Sequence, residues 1–349
     1  MKNLINCIYI SLFVFLCSSC KKDPVGYDIP TTYNFNNVDY SGQTYRLAML
    51  TALVSEVKKG NTPGTIVNAA LAKNMYRNTG NPFTNDTLNT SGKQLKDKTF
   101  AADQSVLEAY IDAASVASAA NATASNGTAG IVTNGTKNYL LDANGIEYKE
   151  AVEKTLQGAL VYYQITAVYL SEDQIGAQVA LADRQHHWDE AFGYFGVPVD
   201  YPFNTTGLQH LGKYANDRNA LLGNATAVMN AFIKGRAAIN NADNATVNEQ
   251  VVIIRENVER GVAGTAVHYI NSALANISDA PTLHHNLSEG YFLIKSLKYN
   301  PAKKISDTQI QTLINYFGGN FYTISTTDLQ AAKDLLSNIY GFDAVKDQL

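Results

Sequence analysis

The chain has few of the residues that mark several common protein classes. Only 17% of its 349 residues are charged, against about 25% in an average globular protein, and the net charge is −4. A nucleic-acid-binding protein normally carries a basic patch, so no nucleic-acid partner is expected. The chain has only eight prolines, which leaves room for long helices, and 46% hydrophobic residues supply a core.

Several catalytic motifs are also absent. The sequence has no His-Glu-x-x-His zinc helix, no Gly-x-Ser-x-Gly elbow, no phosphate-binding Gly-Lys-Ser/Thr loop and no dinucleotide fingerprint. Asp142-Ala143-Asn144-Gly145 begins like a calcium loop, but its glycine comes too early and Ile146 stands where a ligand is needed. We therefore predict a turn there.

Cysteine is scarce, and all three cysteines lie within the first 20 residues. Lys2 precedes an apolar run over 4–17, which is too short for a membrane span of about 20 residues and typical of a secretory signal. Ser18-Ser19-Cys20 resembles the lipobox of bacterial lipoproteins, in which the cysteine is acylated. The alternative is an ordinary signal peptide that is cut nearby. On the lipoprotein interpretation the folded body has no thiol, which excludes thiol catalysis and disulfides.

This pattern predicts a location as well as a modification. We expect a lipoprotein signal peptide over 1–19, a palmitate-type lipid on Cys20 and a tether over 20–40 that is polar and contains proline and glycine. The protein would then be anchored in the bacterial cell envelope, at the outer membrane. The sequence leaves open whether it faces the periplasm or the cell surface.

Apolar residues recur at three- and four-residue steps along most of the remaining chain, which predicts an all-α fold. No run of residues alternates as a strand would. The predicted helices lie near 41–59, 100–120, 147–170, 172–195, 217–240, 246–276, 283–298, 306–317 and 326–340.

An internal similarity indicates a duplication. Residues 149–163 align with 255–269, and both contain Glu, Val, Glu, Gly, Val and Tyr at equivalent positions. Two weaker matches follow the same order along the chain. We predict two related helical bundles: a first unit over 41–205, with a partly ordered insertion at about 61–145, and a second unit over 206–349. The alternative is that unrelated amphipathic helices happen to align.

Histidine and glutamate pairs supply the candidate metal ligands. His186 and His187 lie four and three residues before Glu190, so each pair shares a helical face, and His285 and Glu289 repeat the arrangement in the second unit. Imidazole and carboxylate groups on facing helices build metal sites in helical bundles. We therefore name His187, Glu190, His285 and Glu289 as candidate metal ligands. They would converge if a two-fold axis relates the units.

Further side chains near the first pair are candidates for contacting a ligand. They are Arg184, His186, Trp188, Asp189 and Tyr194. Two alternatives remain open for the histidine–glutamate pairs: local hydrogen bonds within a core rich in aromatic residues, or general acid–base catalysis.

The motif His187-Trp188-Asp189-Glu190 resembles the His-x-x-Glu core of imelysin-like proteins, of the insulin-cleaving membrane protease superfamily. Over most of 35–349 the chain also resembles a Bacteroidetes-type family of lipoproteins, through the runs at 188–196 and 287–292. The resemblance implies two helical bundles, a role in iron or haem acquisition, bound iron or another divalent metal, and an envelope uptake receptor as partner. Imelysins have glycine where this chain has Gln185, a departure at the site of any peptidase activity.

The sequence thus favours a non-enzymatic, lipid-anchored envelope protein that binds a metal or small ligand. A metallopeptidase of imelysin type is one alternative. A structural or interaction lipoprotein without a ligand site is the other.

Overall fold

Helices dominate the computed structural model, which describes residues 26–349. Seven helices precede residue 200: α1 (Ser41–Lys58), α2 (Ala69–Arg77), α3 (Asp86–Thr90), α4 (Ala101–Ala120), α5 (Tyr148–Leu156), α6 (Glu172–Ile175) and α7 (Leu181–Phe195). Six follow: α8 (His210–Leu222), α9 (Asn224–Asn240), α10 (Asn244–Ala275), α11 (Ala280–Ser296), α12 (Asp307–Phe317) and α13 (Thr326–Tyr340). The predicted all-α class is confirmed.

Two of the long predicted helices are each divided in the structure. The predicted helix over 172–195 breaks after Ile175, where Gly176 is extended, and resumes as α7. The one predicted over 217–240 breaks at Gly223, whose φ of +66° is left-handed and favours glycine, and its first part already begins at His210. The ends of these helices therefore depend on local backbone conformation, which cannot be predicted from hydrophobic periodicity.

The predicted helix over 147–170 forms, but its second half is not α-helical. After α5 the chain continues as two π-helical segments, Gln157–Tyr162 and Gln164–Tyr169. π-Helical turns are rare and occur frequently at functional sites. Here they directly follow the most polar part of the protein interior.

The predicted insertion at 61–145 contains a β-hairpin, so the expectation of no strands was wrong. Strands β1 (Gly130–Asn134) and β2 (Lys137–Leu141) pair antiparallel, with Gly130 opposite Leu141 and a turn at Gly135. The hairpin is buried at its open end and exposed at its turn, rather than on one face, so its residues show no alternation. The turn predicted at 142–145 is confirmed: Asp142 Oδ1 accepts hydrogen bonds from the backbone N–H groups of Asn144 and Ile146, each at 2.8 Å.

Two long helices of the second half pack together, and one of them, α11, connects the second half to the first. The 32-residue α10 packs along α9 and α11 and also contacts α8 and α13. Helix α5 packs on α1 and α4, and α11 packs on α5 as well as on α10. Side chains buried along all of these helices form one continuous hydrophobic core. The polar N-terminal turn of α5 is thereby held against α11.

Glycines allow close approach at several of these helix contacts. A Cβ atom on Gly158 would lie 2.2 Å from Ser296 Oγ, and one on Gly264 would lie 2.6 Å from Leu222 Cδ1. The tightest contact joins α9 to α7, where a Cβ on Gly235 would lie 2.1 Å from Trp188 Cζ2. Only glycine fits these positions without displacement of a neighbour.

The N-terminal part of the described chain lies on the body. Tyr33, in the predicted tether over 20–40, is buried, and its backbone N–H donates to the carbonyl of Val199. The predicted signal peptide over 1–19 and Cys20 lie outside the described residues. Within 26–349, every helix is too short or too polar to span a bilayer.

Candidate metal centre

The first turn of α5 and the first half of α11 carry four facing polar side chains. Glu147 precedes α5 as its N-cap and Glu150 lies in its first turn. His285 and Glu289 lie one turn apart on α11 and share a face. Because α5 and α11 pack together, these side chains meet between the two helices.

Three of these residues place ligand-type atoms around a common point. One ligand atom each from Glu147, Glu150 and His285 lies within 4.8 Å of the other two. His285 Nδ1 is 2.7 Å from Glu147 Oε2 and 3.5 Å from Glu150 Oε1. Both carboxylates are buried, while the imidazole keeps a quarter of its surface exposed. A small cation reaching this point would contact all three groups.

Outer partners hold the three side chains in place. Asn61 Nδ2 donates to Glu147 Oε1 at 3.0 Å, and the ring of Tyr139 stacks on His285 with centroids 4.8 Å apart. The second imidazole nitrogen, Nε2, faces Glu289 Oε1 at 3.8 Å. A carboxylate beyond the second nitrogen of a ligating histidine is the usual arrangement around protein-bound metals.

Two lysines share the same carboxylates. Lys154 is fully buried, and its Nζ lies 3.0 Å from Glu150 Oε2 and 2.9 Å from Glu289 Oε2. Lys149 bridges Glu150 and Glu153. Lys154 takes the oxygens of Glu150 and Glu289 that do not face His285, whereas Lys149 pairs with Glu150 Oε1, the oxygen nearest His285. A metal ion at this point would therefore displace Lys149 from Glu150.

The charges of the centre do not cancel without protons. Its ionisable groups are Glu147, Glu150, Glu153, Glu289, Lys149, Lys154 and His285. With every carboxyl ionised and the imidazole neutral, the centre carries a net charge of two negative units. Burial favours the neutral acid and, with the neighbouring charge of Glu150, raises the pKa of Glu289 to about 8. Burial alone would lower the pKa of His285, but the hydrogen bond and charge of Glu147 outweigh it and raise that pKa to about 8. Two protons near neutral pH therefore balance the centre, as one divalent cation would.

The donor set matches a transition metal better than calcium or magnesium. Two carboxylate oxygens and one imidazole nitrogen suit iron(II), manganese(II) or zinc(II), whereas calcium and magnesium prefer oxygen ligands alone. Glu147, Glu150 and His285 would hold the ion, and Asn61 and Glu289 would support them.

The comparisons with known proteins identify a family. A family model described as "Domain of unknown function (DUF4856)" matches residues 30–342, which is most of the chain. The chain belongs to the DUF4856 family. No curated protein and no solved structure matches it.

In this DUF4856 protein the other predicted metal ligands lie on α7 and have their own partners. Glu190 Oε1 accepts hydrogen bonds from Gln43 Nε2 at 2.8 Å and from the hydroxyl of Tyr169 at 3.0 Å. His187 Nδ1 lies 2.8 Å from the carbonyl oxygen of Gln174. Within 26–349, no hydrogen bond or ion pair joins the histidines and Glu190 of α7 to His285 or Glu289. A single site shared by His187, Glu190, His285 and Glu289 stays a prediction.

The five predicted ligand-contacting residues are mostly engaged inside the protein. Arg184 donates to the carbonyl of Ile175 and to Asn244, and Trp188 donates to the carbonyl of Phe232. Asp189 is buried in an ion pair with Arg236 and also accepts from Tyr33. Tyr194 is buried as well, whereas half of the His186 side chain is exposed. These contacts join α7 to its neighbours in the DUF4856 fold.

Sequence reasoning missed Glu147 and Glu150 as members of this centre. A signal was present, because two glutamates three residues apart at the start of a helix share one face. The contact between α5 and α11 is what brings both residues to His285, and helical periodicity carries no information about that contact.

Proposed function

We propose that this protein binds one divalent transition-metal ion at Glu147, Glu150 and His285, as a non-enzymatic, lipid-anchored protein of the bacterial envelope. The observation that supports the metal site is the convergence of three ligand atoms within 4.8 Å of one another between α5 and α11. The excess of four carboxyl groups over two lysines, which two exchangeable protons balance, and the outer carboxyl group of Glu289 support it further. The imelysin-like motif on α7 connects the proposal to iron, and we take iron(II) as the first ion to test.

The metal site is tested on purified protein that lacks residues 1–20. The chelator-treated protein is titrated without oxygen with iron(II), and in parallel with manganese(II) and zinc(II), by isothermal titration calorimetry. We expect one ion per chain. Failure of all three metals to bind would contradict the proposal.

Variants locate the ion. Glu147→Gln and His285→Gln each remove one ligand while keeping similar volume, and each should weaken binding at least about tenfold. Glu190→Gln is the matched control, because it makes the same exchange at a part-buried glutamate of α7. If Glu190→Gln weakens binding and Glu147→Gln does not, the ion binds on α7 and our assignment is wrong.

The anchor is tested separately in cells. Cys20→Ser removes the only cysteine at the predicted acylation position, so this variant should lose metabolic labelling with palmitate and move from the membrane pellet to the soluble fraction. Cys17→Ser is the control and should keep both properties. Equal labelling of the Cys20→Ser variant and the parent would contradict a lipid on Cys20.

A further inference from the structure

A cavity with charged side chains in its lining lies away from the metal centre and shares no residue with it. Its volume is about 400 Å³, and it lies between α10, the loop after residue 300 and the end of α13. Arg260 and Lys304 contribute positive charge, and Glu256 and Glu259 contribute carboxyl groups. A volume of this size accommodates a small organic molecule.

Arg260 is a partly buried cation of this cavity that has no counter-charge. It forms no ion pair with any residue of the described chain. Its Nε atom is buried without a hydrogen-bond partner, and Nη1 reaches only the carbonyl oxygen of Tyr340, at 3.4 Å. The guanidinium lies over the ring of Phe342, 5.1 Å from the centroid. The buried Nε–H is a donor without an acceptor, and a partly buried cation without a counter-charge attracts an anion, so an anion at this position would be stabilised.

The residue aligned with Arg260 in the first unit is a cation that does have counter-charges. The internal similarity aligns Arg260 with Lys154. Lys154 is paired with three carboxylates, those of Glu150, Glu153 and Glu289. Arg260 has none of these, although the two cations occupy aligned helices. Arg260 therefore lacks the negative charge that Lys154 receives from Glu150 and Glu153 of the first unit and from Glu289 of the second.

The nearby carboxyl groups do not supply that charge. Glu259 is committed to other donors: it accepts from the hydroxyl of Tyr340 at 2.7 Å, from Asn300 Nδ2 at 2.6 Å and from the backbone N–H of Lys304 at 2.9 Å. Burial raises its pKa, which further favours a neutral acid. Glu256 is exposed and lies beyond ion-pair distance of Arg260.

We propose that this cavity binds a small monocarboxylate whose carboxylate pairs with Arg260. The planar guanidinium offers parallel N–H donors that match a carboxylate, and a single uncompensated guanidinium matches a single negative charge. Lys304 is exposed and adds positive charge where the ligand would enter. This site is independent of the metal centre and holds whether or not a metal binds there.

Benzoate is the probe, because it combines one carboxylate with an apolar ring. Benzamide is the matched neutral molecule, and inorganic phosphate tests for a general anion site. We expect benzoate to bind with a Kd of about 1 mM or tighter, measured by protein-observed NMR with ¹⁵N-labelled arginine, and the Nε–H signal of Arg260 to shift. Absence of a shift at about 10 mM benzoate, equal binding of benzamide, or tighter binding of phosphate would each overturn the assignment.

Variants separate binding from folding. Because the variants lack the Arg260 signal, benzoate binding to them and to the parent is compared by ligand-observed NMR. Arg260→Met should abolish binding, and Arg260→Lys should weaken it about tenfold because the charge remains while the paired donors are lost. Glu256→Gln should leave affinity unchanged or increase it, since it removes a competing negative charge. Thermal melting of each variant checks its fold. Unchanged benzoate affinity in a folded Arg260→Lys variant, or a large loss in Glu256→Gln, would contradict the proposal.

Discussion

Two side chains of the proposed metal centre hold protons that a divalent ion would displace. Near neutral pH, raised pKa values keep His285 and Glu289 protonated in the metal-free protein. A metal ion on His285 requires the neutral imidazole, and its charge lowers the pKa of Glu289. We predict that binding releases about two protons per ion at pH 7, measured by calorimetry in buffers that differ in ionisation enthalpy.

Glu289→Gln gives the control for this prediction, because it removes one of the two protons. Release should then fall to about one per ion. Metal binding without any proton release would show that the ion does not bind at His285.

His210 carries a second pH dependence, separate from the metal centre. It is partly buried where α1 meets α8, and its ring nitrogens lie 3.2 Å from Thr51 Oγ1 and 3.3 Å from Gln157 Nε2. Burial lowers its pKa below the usual value near 6.5. The folded state resists protonation of His210. The contribution of the neutral His210 side chain to stability is therefore complete above pH 6.5 and is lost as the pH falls through the lowered pKa.

We predict that His210→Asn flattens this dependence. Asparagine tolerates the positive φ of +44° at this position and does not titrate. Unfolding free energies are measured with urea at pH 7.5 and at pH 5.5. The parent should lose more unfolding free energy on acidification than the variant does, by up to about 1.4 kcal/mol per pH unit. Equal losses would show that His210 does not titrate in this range.

At the level of secondary-structure elements, the contact between α7 and α9 depends on the absence of a side chain. Helix propensity alone would make Gly235→Ala stabilising by about 1 kcal/mol. The new Cβ would instead meet the buried ring of Trp188 at 2.1 Å. We predict a net loss of about 1–3 kcal/mol in unfolding free energy, measured by urea denaturation.

Gly319→Ala is the matched control, since a Cβ there has no atom within 4 Å. Its effect should stay within about 0.5 kcal/mol. Stabilisation by Gly235→Ala would mean that α7 and α9 separate easily.

The elements themselves were largely predictable from the sequence, because amphipathic helices repeat a strong pattern. The helices at 41–58, 101–120, 307–317 and 326–340 agree with the predictions to within a residue. The capping box of Ser306 with Gln309 helps to define one of these starts. The hairpin was missed because its burial runs from end to end, and the π-helical turns because periodicity does not distinguish them from an α-helix.

The candidate site was predictable only in part. His285 and Glu289 share a helical face and can be read from spacing alone. Glu147 and Glu150 lie next to His285 only because α5 packs on α11, and the hairpin places Tyr139 against His285. Such contacts join residues more than 130 positions apart, and a local pattern does not encode them.

For the molecule as a whole, helices of one predicted unit pack directly on helices of the other. Helix α11 packs on α5 and α10, and α7 packs on α9. We therefore predict one cooperative thermal transition in which the calorimetric and van't Hoff enthalpies agree. Two resolved transitions in differential scanning calorimetry would show that the units unfold independently despite these contacts.

The environment of Trp188 makes this behaviour observable with light. It is the only tryptophan in the chain, it is fully buried between α7 and α9, and its indole N–H donates to the carbonyl of Phe232 at 2.9 Å. Selective excitation of indole therefore reports on one interface, without interference from the 21 tyrosines. A red shift of its emission marks the moment at which water enters between these two helices, so the protein carries its own fluorescent probe of their separation.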